Sequence, residues 1–191
     1  CSGEATDRGT SGSGTTTSGA PPSSSSGSAP TDVVTGLDAP WSIVVDDDMT
    51  LVSERDSGRV LEVTDDGGTR EVGTVEGVSA GGEGGLLGLA LHDDHLYTYF
   101  TSADDNRVVR HELAGEPGSL ALGDPETILD GIPSASFHNG GRIAFGPDDM
   151  LYVTTGDAGD TERAQDRESL AGKIHREVHA QSAVGGDRVD E

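Results

Sequence analysis

HNGGRIAFGPDDMLYVTTGD, residues 138–157, decides how this chain is read. An apolar run, Arg142-Ile143-Ala144-Phe145, meets a Gly146-Pro147-Asp148-Asp149 turn. A second apolar run, Met150-Leu151-Tyr152-Val153-Thr154-Thr155, follows it. Pro and Asp suit the turn, and alternating β-formers suit strands on either side. An antiparallel hairpin closed there pairs positions whose numbers sum to about 295 to 297. His138 and Asp157 meet that condition, so they should emerge at the same end of adjacent strands. A carboxylate beside an imidazole in this way can orient it as a general base. Gly140 and Gly141 allow close approach of backbone to a ligand. A loop histidine beside a turn aspartate with no further role is the plainer reading of the spacing alone.

The same grammar of apolar strand, acidic turn and apolar strand occurs twice upstream. Ser42–Val45, Thr50–Ser53 and Arg59–Val63 form one set; Leu86–Leu91, Leu96–Phe100 and Arg107–Leu113 form another. Ile43, Leu89 and Ile143 lie roughly fifty residues apart, a spacing that suits a β-propeller repeat. No long stretch has helical periodicity, and Glu162–Lys173 reads as a short helix or an irregular loop. The fold class is therefore all-β, a partial propeller of about three blades. A propeller needs at least about four blades, so these three leave sheet faces and edges uncovered.

The expected organisation has three parts. Residues 1–31 are a Ser/Thr/Gly/Pro-rich tether without secondary structure, residues 32–174 the partial propeller, and residues 175–191 a divergent polar tail. Cys1, the single cysteine, excludes an intramolecular disulfide. Followed by Ser2-Gly3 and the tether, it matches the mature start of a lipoprotein. The expected location is then the extracellular face of the cell membrane, lipid-anchored or secreted, with no membrane contact except through the anchor.

The 191-residue chain carries 35 acidic residues against 12 Lys plus Arg, a formal net charge of -23, and Lys173 is its lone lysine. No basic patch exists to neutralise phosphates, so nucleic-acid partners are excluded. The acids cluster at turns between apolar runs, as at Asp46-Asp47-Asp48, Asp93-Asp94 and Asp148-Asp149. That pattern fits a folded protein with a salt-adapted surface better than a disordered chain, and predicts stabilisation by salt.

Two other groups invite a chemical reading. Gly82-Glu83-Gly84-Gly85 precedes the buried run from Leu86 and leaves Glu83 as the one side chain projecting from that loop. No Lys follows and no helix is predicted, so a phosphate cradle is a poor reading; a flexible turn is favoured on spacing alone. Asp157, Asp160 and Asp166 lack the spacing of a Ca²⁺-binding loop, and the last two read as solvated surface. No metal ligand set is assigned. The remaining histidines show no paired metal spacing.

Taken together, the motifs resemble the soluble pyrroloquinoline quinone (PQQ)-dependent glucose/sorbosone dehydrogenases, or aldose sugar dehydrogenases, over roughly Leu37 to Ile174. The resemblance rests on Ala39-Pro40-Trp41, Gly82–Ala90, Asn106–Arg110, Ile128–Pro133, His138–Arg142, Gly146-Pro147-Asp148, Leu151–Asp157, Ala164-Gln165-Asp166 and Ser169–Ile174. It implies the N-terminal part of a six-bladed propeller with PQQ and Ca²⁺ near the axis. It implies oxidation of aldose sugars at C1 to lactones. The partners implied are a small-molecule sugar and an electron acceptor that the residues do not identify.

By the same resemblance His138 is the general base, Asp157 stands beside it, and Glu83 falls where many members carry a substrate-contacting Gln. Asn139 and Arg142 are read as further substrate or cofactor contacts. After Lys173-Ile174 the pattern departs from the family, and the family's PQQ-gripping cations and Ca²⁺ ligands lie in later blades. The expectation is an incomplete cofactor site in this chain, inactive by itself. A Ca²⁺-dependent sugar-lactone hydrolase and a non-catalytic ligand-binding propeller are the alternatives.

Overall fold

The structure, a computed structural model, describes residues 30–177 apart from Asp47. Cys1, the tether up to residue 29 and residues 178–191 lie outside the described residues. Eleven strands are described: β1 (Pro40–Asp46), β2 (Met49–Glu54), β3 (Arg59–Val63), β4 (Thr69–Thr74), β5 (Leu86–His92), β6 (His95–Thr101), β7 (Asn106–Ala114), β8 (Ala121–Ile132), β9 (Gly140–Phe145), β10 (Leu151–Thr155) and β11 (Ile174–Glu177). They form three antiparallel meanders, β1-β2-β3-β4, β5-β6-β7-β8 and β9-β10-β11. The first strands β1, β5 and β9 pack side by side, and β4 lies near β8. This is the radial order of propeller blades, with the first strand of each blade innermost.

The middle sheet shows why its sequence is so apolar. Leu86, Leu89, Leu96 and Phe100 face the first sheet and meet Leu51, Val60 and Val72. Leu87, Ala90, Tyr97 and Tyr99 face the third sheet and meet Ile143, Leu151 and Val153. Alternation along β5 and β6 therefore serves two cores, and both faces are apolar. The outer sheets are covered on one face only, so Ile43, Val45 and Ile174 remain 63%, 67% and 74% exposed. The inner strands approach so closely that a Cβ on Gly88 would stand 2.1 Å from the Gly141 carbonyl oxygen. Only glycine allows that contact.

Short polar links tie the first and second sheets. Ser53 donates through Oγ to the Leu87 carbonyl at 2.9 Å, and the Leu89 N–H donates to Ser42 Oγ at 3.2 Å. Buried Glu62 accepts from the Gly118 N–H at 2.6 Å and from Arg70. A buried carboxylate is tolerable only when paired in this way.

Three strands were not evident in the sequence. β4 contains one fully buried apolar residue, Val72, and β8 contains Pro125 among several charges. Both lie at the outer rim, where little apolar surface is needed. β11 extends the third sheet to Glu177, past the boundary drawn at Ile174. His175, Arg176 and Glu177 pair with Val153, Tyr152 and Leu151, so backbone pairing continues where the apolar pattern stops. The Glu162–Lys173 segment begins within one 3₁₀ turn, Thr161–Ala164, capped by the Asp160 carboxylate.

Candidate active site

The β9–β10 hairpin has the expected register. Leu151, Tyr152 and Val153 pair with Phe145, Ala144 and Ile143, and after an irregularity Thr155 pairs with Gly140. His138 lies just before β9 and Asp157 just after β10. The hairpin brings His138 Nδ1 to 3.0 Å from Asp157 Oδ1. The Gly159 N–H donates to the same Asp157 oxygen at 2.9 Å. That N–H and the His138 ring hold the Asp157 carboxyl below the usual carboxylate range. An ionised carboxylate only accepts hydrogen bonds, so Nδ1 is the protonated nitrogen of the neutral ring. Nε2 then carries the lone pair and has no protein partner among the described residues. The His138 side chain is 58% exposed, against 20% for Asp157.

The backbone at His138 is unusual. Its φ is +59°, the left-handed region, which costs a non-glycine residue about 1–2 kcal/mol. Three contacts from two segments hold it there. Its ring bonds Asp157, its carbonyl accepts from the Ala158 N–H at 3.2 Å, and its N–H donates to Glu83 Oε2 at 2.7 Å. The Glu83 N–H in turn donates to the Ser136 carbonyl at 2.8 Å, so the loop before β5 is joined to the loop before β9 at two points. A Cβ on Gly156 would lie 1.8 Å from the His138 carbonyl oxygen, so the strand leading to Asp157 must be bare there. Phe137, 45% exposed, stands edge-on to the His138 ring at 4.9 Å between centroids.

The structure thus brings together Glu83, His138 and Asp157. It does not bring the other two predicted residues to them in the same way. Asn139 is 2% exposed and its amide is committed to protein. Its Oδ1 accepts from Asn106 Nδ2 and the Ala135 N–H, each at 3.0 Å, and its Nδ2 donates to the Ala135 carbonyl at 2.7 Å. A buried amide with these partners shapes the loop that carries His138. Arg142 leaves the exposed face of β9 and lays its guanidinium 4.1 Å from the centroid of the Trp41 ring, linking the first and third sheets. Asp160 pairs with Arg163, and Asp166 accepts from the Glu168 N–H.

Sequence reasoning missed the residues behind the site. Tyr99 donates its hydroxyl to the Asn139 carbonyl at 2.8 Å, and Asn106 also reaches the Pro133 carbonyl at 3.0 Å. Burial pushes the Tyr99 hydroxyl pKa up, with Asp105 adding to the shift, which keeps it a donor. Asn106 belongs to a recognisable motif, but nothing in the order of residues shows what its amide touches.

Comparison with known proteins places this geometry. The family model described as Glucose / Sorbosone dehydrogenase matches residues 37–188. The PQQ-bound aldose sugar dehydrogenase of Streptomyces coelicolor superposes with a TM-score of 0.72 at 49% identity, covering 76% of this chain and 46% of that one. An oxidoreductase (glucose dehydrogenase) of Thermus thermophilus gives 0.69 at 42% identity, covering 77% and 46%. Quinoprotein glucose dehydrogenase B of Acinetobacter calcoaceticus is 32% identical over 136 residues, 62% of this chain and 28% of that protein. The chain spans less than half the length of these relatives. With three propeller-type sheets and a family match over most of its residues, the chain belongs to the glucose/sorbosone dehydrogenase family.

Proposed function

We propose that this chain supplies the base-bearing part of a site that oxidises aldose sugars at C1 to lactones with PQQ. The observation that carries the reading is the 3.0 Å contact between His138 Nδ1 and Asp157, with Nε2 left free on an exposed ring. Oxidation at C1 removes a hydroxyl proton and a hydride. A neutral imidazole with its lone pair facing solvent is suited to take the proton. Asp157 fixes the tautomer and stabilises the imidazolium that forms. Exposed Phe137 beside it offers an apolar face to a sugar ring.

The residues described do not make a cofactor site. Among them no three His, Cys, Asp or Glu side chains converge as a cation site requires, so Ca²⁺ has no ligand set here. PQQ is a multiply charged anion. Lys173 Nζ is taken up by the carbonyls of Arg163, Ala164 and Ala171 at 2.8, 3.3 and 2.8 Å. Arg142 has no carboxylate partner among the described residues, but its guanidinium lies over the Trp41 ring, and a single guanidinium is not a cradle. The steps assigned to this chain therefore stop at the proton. This chain by itself is expected to show no dye-linked glucose oxidation with added PQQ and Ca²⁺. The lipid anchor at Cys1 and an extracellular location belong to the same proposal, and metabolic labelling with a fatty acid tests them.

A chimera tests the activity. Residues 37–177 would replace the matching part of the Streptomyces coelicolor enzyme. PQQ-dependent aldose oxidation by the folded chimera is expected, and His138→Ala is expected to lower turnover by about 10²–10⁴-fold. A folded chimera that oxidises no aldose, or that loses nothing with His138→Ala, contradicts the proposal.

A further inference from the structure

Glu83 lies 55 residues before His138, on another blade, and its carboxylate accepts the His138 backbone N–H at 2.7 Å. That bond reaches the one residue of the site whose backbone is held at a positive φ while its ring must keep a fixed aim. A strained conformation persists only when its surroundings over-determine it. Of the three contacts holding His138, those to Asp157 and Ala158 come from the segment following β10. Glu83 is the contact from the neighbouring blade. Its own N–H is anchored on the Ser136 carbonyl, so the carboxylate is not free to drift from the amide it receives.

We infer that Glu83 is a positioning residue for His138: its carboxylate oxygen fixes the left-handed backbone that turns the imidazole toward Asp157 and leaves Nε2 open. The functional meaning of this role rests on the proposed base function of His138. The role itself acts through reach and not through charge. A carboxamide oxygen at the same place accepts the same N–H. An aspartate, one methylene shorter, keeps the charge but withdraws the acceptor. Glu83 therefore acts on the proton-accepting nitrogen without touching it.

The experiment compares Glu83→Ala, Glu83→Asp and Glu83→Gln in the whole chain by NMR, without sugar or quinone. It reads two properties of His138, the exchange rate of its amide hydrogen and the tautomer of its ring from nitrogen shifts. Ala and Asp variants are expected to exchange that amide about tenfold faster, as loss of its hydrogen bond implies. Their rings are expected to gain the Nε2–H tautomer. The Gln variant is expected to stay within about threefold of the parent, with the parent tautomer. A parent-like Ala or Asp variant overturns the inference, and so does a Gln variant that behaves like Ala. If Glu83→Ala unfolds the chain, the Asp and Gln pair still decides. Because no turnover is read, failure of this inference is separable from failure of the proposed activity.

Discussion

The two ends of the β9–β10 hairpin each hold an aspartate carboxylate beside a basic side chain, in different settings. At the turn end Asp148 accepts from Arg176 Nε at 3.0 Å and from the Tyr152 hydroxyl at 3.1 Å. At the open end Asp157 accepts from His138 and the Gly159 N–H. Each carboxyl is held below its usual range, Asp148 chiefly by Arg176 and Asp157 chiefly by Gly159 and then His138. The difference lies in the partner. A guanidinium never releases its proton near neutral pH, so the turn pair is fixed charge on a solvated surface. An imidazole has a second nitrogen that can take and return a proton. Backbone strain also separates them in kind. Asp149, at positive φ in the turn, is a residue type that tolerates it, whereas His138 is held there by three contacts.

Steric substitution should break this comparison most strongly. Gly156→Ala drives a Cβ into the His138 backbone carbonyl, which cannot swing aside as a side chain can. It should cost about 3 kcal/mol and displace the His138 loop. Gly146→Ala at the turn end meets only the Asp148 and Tyr152 side chains, which can move, and should cost about 1 kcal/mol. Denaturant midpoints measure both, and equal losses would show that the open end is no more tightly built than the turn.

Removing charge should separate chemistry from stability. In the chimera Asp157→Asn should lower turnover by about 10²–10⁴-fold, since an amide can stabilise the wrong tautomer. Asp148→Asn should leave turnover unchanged and lower the denaturant midpoint far less than Gly156→Ala does. The pH dependence has one sign at both ends. A depressed carboxyl pKa contributes stability present above the unfolded-state value and lost as pH falls through the folded-state value. Acid titration by NMR should therefore place both carboxyls below the usual carboxylate range, and Asp157→Asn should remove only the open-end component.

Salt should give the smallest local effect. Arg176→Ala should lower the denaturant midpoint slightly in dilute buffer and not measurably in molar KCl. The parent chain, at a net charge of -23, should melt at a higher temperature in molar KCl than in dilute buffer. Equal melting temperatures would remove the salt-adapted reading of its surface.

The comparison also marks what a sequence can disclose. The hairpin register was legible because a Pro-Asp-Asp turn and alternating strands determine it locally, and with it the meeting of His138 and Asp157. The middle blade was legible from its doubly apolar strands. β4, β8 and β11 were not, because rim strands bury little and are held by backbone pairing that any side chain permits. Nor was the fate of Asn139, whose amide is satisfied by Asn106 and Ala135, or the contact from Glu83 to His138. The bonds from Asn106 and Glu83 span distant segments, and local spacing carries no trace of them.

The central claim is that Asp157 holds the His138 proton on Nδ1 and leaves Nε2 as acceptor. Nitrogen NMR of the ring in the unmodified chain, at a pH where the imidazole is neutral, tests it most directly. The account predicts a protonated Nδ1 and a bare Nε2. A ring found mainly as the Nε2–H tautomer would contradict it.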